Sequence, residues 1–190
     1  LQRRRQRQMC IRDSTCSFIA NVGETSMDGL EVEGIWMPTS ALTLRAALGT
    51  LDANYDSYDY AGRDIANVAQ LLYAPELTWS VGAEHISQVF GGELILTANY
   101  SFQDEVFTQT PWAIYDPATF PKITIDDWES LDVSATYLRD TENGTFKVIL
   151  YGTDVLEDGN RVQRRYTTGS FTWAELAPRQ QFGVTVGYEF

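Results

Sequence analysis

Side chains of a β-strand point alternately to its two faces, and the last segment of the chain uses that alternation without exception. Phe182, Val184, Val186, Tyr188 and Phe190 fall on one side; Gln181, Gly183, Thr185, Gly187 and Glu189 fall on the other. The same division recurs upstream. One side carries Leu30, Val32, Gly34 and Trp36, then Leu42, Leu44, Ala46 and Leu48, then Leu77, Trp79, Val81 and Ala83. It continues through Leu94, Leu96, Ala98, Tyr100 and Phe102, through Leu131, Val133, Ala135 and Tyr137, and through Phe146, Val148 and Leu150. None of these is charged. The interleaved side holds Glu31, Glu33, Arg45, Glu84, Glu93, Asp132, Lys147 and Glu189. A sheet that is polar within and apolar without suits a barrel in a bilayer, where Lys or Arg on the lipid side costs about 2–4 kcal/mol at the midplane.

The pattern predicts seven strands, at roughly 27–37, 41–54, 76–87, 93–107, 128–139, 145–156 and 179–190, with a fragmentary eighth near 16–22. Short connections (Pro38-Thr39-Ser40, the Gly91-Gly92 region, Glu142-Asn143-Gly144) alternate with long ones at about 57–75, 108–127 and 158–178. Asn143-Gly144 predicts a type I′ hairpin, whose two central residues both take positive φ. Structureless loops of this length count against a compact soluble domain, but tight turns at one end and long loops at the other are the habit of outer-membrane barrels. A soluble β-sandwich would also alternate, yet would not need such long strands or loops confined to one end. Aromatics near strand ends (Trp36, Tyr100, Phe102, Tyr137, Tyr188, Phe190) fit girdles at the headgroup level.

The formal net charge is −12, although the first fourteen residues are basic, with five arginines against Asp13. Met9-Cys10-Ile11-Arg12-Asp13-Ser14 is the translation of a transposase sequencing adapter, so residues 1–14 are expected to be a non-native head and 15–190 the protein proper. The acidic remainder argues against nucleic acid as a partner. Cys16 alone supports neither a disulfide framework nor a thiolate metal site. No apolar run approaches the length of a membrane-spanning helix.

In order along the chain, Asn21-Val22-Gly23 with Gly29-Leu30-Glu31-Val32-Glu33, then Pro38, Leu42 and Leu44, then Leu51-Asp52-Ala53-Asn54-Tyr55-Asp56 form a set of strand and turn motifs. Ala74-Pro75-Glu76-Leu77-Thr78, the run from Val148 to Asp158, and Pro178-Arg179 leading to Phe182-Gly183-Val184 and Tyr188-Glu189-Phe190 complete it. Over residues 19–190 this set resembles the C-terminal part of a TonB-dependent outer-membrane receptor. Asp154-Val155 departs from the Asn-Leu-x-Asp usual at that place in the family. The resemblance implies an all-β fold, seven or eight antiparallel meandering strands of a 22-stranded barrel, located in the outer membrane of a Gram-negative bacterium. It also implies a plug and a TonB-contacting segment, neither of which is in this chain. Its expected partners are outer-membrane lipid, TonB through that N-terminal region, and the barrel-assembly machinery, which reads Phe182, Val184, Val186, Tyr188 and Phe190. The expected cargo is a bulky nutrient such as a ferric siderophore.

Within the long loops, Tyr55, Tyr58, Tyr60 and Arg63, then Trp112 and Tyr115, then Arg161, Arg164, Arg165, Tyr166 and Trp173 combine rings with guanidinium groups. Such groups grip a chelated metal complex by stacking and charge-assisted bonds, or simply cover one another and meet lipopolysaccharide phosphates. No catalytic residue, resident metal or cofactor is expected. His85, the single histidine, has no nucleophile or orienting acid beside it in the pattern. Asp52, Asn54 and Asp56 begin a calcium-loop spacing that Ser57 and Arg63 then break. Two further readings follow from the pattern: a small eight-stranded barrel serving as an anchor, its interior eased by Gly49, Gly82, Gly183 and Gly187, and a soluble sandwich that binds a partner.

Overall fold

In a computed structural model, residues 23–60, 62–109, 123–156, 161–167 and 171–190 are described. Residues 1–22, which include the expected basic head and eighth strand, lie outside them. The described backbone runs as an antiparallel meander. The long strands are β1 (Gly23–Thr39), β2 (Leu42–Tyr60), β4 (Leu77–Val89), β5 (Gly92–Gln103), β8 (Trp128–Thr141), β9 (Gly144–Thr153) and β12 (Gln181–Glu189), paired in that order. Short β3 (Arg63–Asp64) adds to β2, while β6 (Val106–Phe107) pairs β7 (Thr124–Ile125) and β10 (Val162–Thr167) pairs β11 (Thr172–Leu176).

Register proves the two faces. Opposed residues in neighbouring strands share a side, and one row reads Trp36, Leu44, Ala83, Ala98, Val133, Gly152, Phe182. The row on the other side at the next pleat reads Thr43, Glu84, Thr97, Ser134, Tyr151, Gly183. Among the described residues no second layer packs on the apolar side. Val32, Trp36, Leu48, Val81, Leu96, Val133, Leu150, Phe182, Val184 and Val186 are all exposed. A sandwich would have buried them to gain about 25 cal/mol per Å².

The sheet also tilts. β4 runs past His85, the partner of Leu42, on to Val89. β8 runs past Leu138, the partner of Glu93, on to Thr141. Each short turn therefore lies further along than the one before, the stagger that barrel closure requires. β1 and β12 occupy the two edges of this sheet.

Several expectations need correction. The strand expected at 93–107 stops at Gln103, and that at 145–156 stops at Thr153, because Asp154 turns the chain with φ 54°. β2 extends to Tyr60, into the region expected as loop. Positive φ among described non-glycine residues is confined to Tyr73, Phe90 and Asp154, so the Asn143-Gly144 turn is not type I′. That geometry sits instead at Phe90-Gly91, with φ 53° and 75°. A phenylalanine in the left-handed region is strained. It is held there by the Tyr137 hydroxyl, which donates to the Phe90 carbonyl at 3.1 Å.

The apolar side is also not wholly free of charge. Its rows include His85 between Leu42 and Leu96, Glu129 opposite Phe102, and Arg139 opposite Phe146. Above them Asp28 and Asp52 face each other directly. Glu129 and Arg139 lie near the two ends of β8, whereas Asp28, Asp52 and His85 lie within β1, β2 and β4.

Candidate functional site: the loop end of the wall

The long connections leave the sheet at one end, and their described parts are folded. In the first, Tyr55 and Tyr58 stack with ring centres 4.7 Å apart, and buried Tyr58 packs with Ile65 and Ala69. Burial, and after it the neighbouring Tyr58 phenol, push the Tyr55 hydroxyl above its ordinary value of 10.0. Tyr60 and Arg63 pair through their backbones in the β2–β3 hairpin with exposed side chains. Trp112 and Tyr115 lie outside the described residues.

The β2–β3 hairpin is pinned by Asp64. Its Oδ1 accepts from the Tyr58 and Ala66 amides, each at 3.0 Å. These bonds, Tyr58 first, hold the Asp64 carboxyl below its ordinary 3.8 against a smaller opposing effect of burial. A depressed carboxylate stabilises the fold above the unfolded-state pKa and loses that contribution as pH falls through the folded value. Hydrogen exchange at the Tyr58 and Ala66 amides, taken relative to the intrinsic rate at each pH, should therefore stay slow from neutral pH down to about pH 4 and accelerate below it. In Asp64→Ala it should be fast throughout; equal protection in both proteins would refute the pin.

In the third connection Arg164 pairs with Glu175 at 3.6 Å on an exposed surface. The two long side chains there are worth little energetically. Tyr166 lies opposite Trp173, both exposed. Arg165 is half-buried, and its Nε has no hydrogen-bond partner. The arginine anchored most firmly is Arg161. Its Nη2 lies 3.0 Å from Asp154 Oδ2, and its guanidinium sits 4.7 Å over the Trp128 ring, close enough for a cation–π contact. Trp128, Asp132 and Asp154 were not singled out from the sequence as loop-end contacts. The departure of Asp154-Val155 from the family pattern was the only signal available there.

Two shallow cavities open at this end. One, of about 220 Å³, lies on the polar side beneath Trp128, with Gly49, Thr78, Ser80, Ser101 and Gln103 in its lining. The other, of about 210 Å³, is acidic, lined by Asp52, Glu76, Asp104 and Glu105 with Asn54 and Gln70. Among the described residues no group of His, Cys, Asp and Glu is arranged to hold a metal ion.

The residues named for barrel assembly lie along one side of β12. Val184, Val186 and Tyr188 stand opposite Leu150, Val148 and Phe146, and Tyr188 meets Phe190 edge-on at 5.0 Å.

No protein-family model matches the chain. Among solved structures, the ferric yersiniabactin uptake receptor FyuA from Yersinia pestis is similar over 87% of this chain, at 15% identity and a TM-score of 0.67. BauA, the ferric preacinetobactin receptor from Acinetobacter baumannii, is similar over 90%, at 18% identity and a TM-score of 0.68. The chain shares the fold of part of those two proteins. The chain spans 24% and 23% of those two receptors, which agrees in fold with the resemblance carried by the motifs.

Proposed function

We propose that the chain is the C-terminal wall segment of an energy-coupled outer-membrane receptor that imports a bulky nutrient, a ferric siderophore being the favoured class. The observation that carries this reading is the placing of charge on the apolar side of β8. Glu129 and Arg139 bracket Leu131, Val133, Ala135 and Tyr137 on that side. Their separation along the strand, at about 3.3 Å per residue and a tilt of about 40°, comes to about 25 Å along the membrane normal, the height of an outer-membrane apolar band. Glu129 is not left bare at the upper edge, since the Tyr100 hydroxyl donates to it. The likeness to two ferric-siderophore receptors supports the same reading.

On this reading the segment supplies about a third of a 22-stranded barrel, a size class whose lumen is plugged. The edges of β1 and β12 pair with further strands, because unpaired backbone groups cost several kcal/mol each in hydrocarbon. The polar side faces the plug. TonB, the assembly machinery and outer-membrane lipid are the partners. At the loop mouth, exposed Tyr60, Arg63, Arg164, Tyr166 and Trp173 are the foremost ligand contacts, with Arg165, Tyr55 and Tyr58 behind them.

The test is uptake by the full-length receptor in a host stripped of its own siderophore receptors. Labelled ferric yersiniabactin, ferric preacinetobactin and a panel of other ferric chelates are the probes. Accumulation of at least one chelate, abolished by deleting TonB, is expected. Recovery of the protein in the soluble fraction without detergent would sink the membrane reading, and TonB-independent uptake would sink the coupled one.

A further inference from the structure

A two-stranded hairpin is marginal on its own in water, and the wall's loop end carries two that lack a core of their own. β6 and β7 have two residues each, and β10–β11 is a short ribbon. Each must be held by something else, and the contacts show by what. β7 packs against β10, with Val106, Ile123, Ile125 and Ala177 buried in this region. The first connection joins the second, where the Tyr73 amide donates to the Phe107 carbonyl at 2.9 Å and Leu72 bridges Phe107. The Thr108 amide and hydroxyl both donate to the Ile123 carbonyl at 2.7 Å.

The third connection is tied to the wall at its base. The Asp154 amide donates to Asp132 Oδ1 at 2.7 Å, and the Val155 amide donates to the Leu131 carbonyl at 2.9 Å. The chain leaving β9 is thus sewn back onto β8. There Asp154 meets Arg161, and both side chains are largely buried, at 12% and 21% exposure. Breaking a pair withdrawn from water in this way is strongly destabilising, because removing one member strands the other's charge. The Arg161 carbonyl also accepts from the Ala177 amide at 2.8 Å, closing the base of β10–β11.

We propose that the described parts of the three long connections form one mechanically continuous cap, and that Arg161 is the latch fixing that cap to β8. Neither β6–β7 nor β10–β11 keeps its structure alone, so a displacement of the hairpin bearing Tyr166 and Trp173 is transmitted to β6–β7 and onward to Tyr73. This holds whatever the receptor carries and stands on the fold, not on the transport reading.

Hydrogen exchange on the full-length receptor in lipid nanodiscs tests it. In Arg161→Ala, amides of β10–β11 and that of Thr108 should both lose protection by on the order of tenfold, with the β4–β5 ladder unchanged as proof of an intact barrel. Arg161→Lys, which keeps charge without the planar stack, should fall between. Ile123→Val, a mild loss on the far side of the cap, should loosen β10–β11 with the latch intact. Deprotection limited to β10–β11 in Arg161→Ala, or β10–β11 unmoved in Ile123→Val, would overturn the proposal by showing the connections to be independent.

Discussion

Val133→Arg in the full-length protein is expected to destabilise the membrane-inserted state by about 2–4 kcal/mol. Val133 lies on the apolar side, flanked by Ala98 and Gly152 and between the levels of Glu129 and Arg139 on its own strand. Nothing in the sheet covers it, since its side chain is exposed. On the proposed membrane reading, an arginine there has only hydrocarbon around it and must snorkel to reach phosphate or water. Moved along β8 toward Glu129 or Arg139, the same substitution should cost only about 0–1 kcal/mol. Ser101→Arg, on the polar side among Ser80 and Ser130, should be close to neutral. Equilibrium unfolding from lipid vesicles reads all of these. A cost that does not vary with position along β8 would mean that the apolar side meets protein and not lipid.

Gly92→Val should cost about 1–3 kcal/mol through overpacking. A Cβ at Gly92 would stand 2.4 Å from the Leu138 carbonyl oxygen and 2.7 Å from the Tyr137 hydroxyl. The ring can swing away, but the carbonyl belongs to the β5–β8 ladder and moves only if the strands part. The same ring braces the strained Phe90 through its carbonyl, so displacing it also loosens the turn. In a Tyr137→Ala background the part due to the ring should vanish while the part due to Leu138 remains. Gly187→Val provides the contrast, because nothing lies within 4 Å of its added Cβ, and it should change stability by less than about 0.5 kcal/mol. Midpoints of chemical unfolding that shift equally for the two glycines would contradict the steric account.

The candidate site was legible in part. Arg161 stood among the loop arginines picked out by residue type, yet nothing in its sequence neighbourhood distinguished it from Arg164 or Arg165. What distinguishes it is Trp128 and Asp154, brought to it by the turn at Asp154 and the return of the chain to β8. Tyr55 and Tyr58 were readable as aromatic loop residues, but their stacking over Ile65 and Ala69 depends on β2 continuing past the expected end of the strand.

Alternation along each strand determined the two faces by itself, because a pleated strand places neighbouring side chains on opposite sides whatever its surroundings. It determined the meander too, through tight turns alternating with long connections. It did not determine which Gly-containing turn takes left-handed φ. Asn143-Gly144 had the better local propensity, yet Phe90-Gly91 adopts the conformation because Tyr137, on a strand far away in sequence, secures it. Alternation also puts Glu129 and Arg139 on the side of Leu131 and Tyr137, but it did not reveal their cross-strand partners, Phe102 and Phe146, which register fixes. Short-range sterics are written in adjacent residues; pairing across the sheet is decided by contacts that form only once the strands lie side by side.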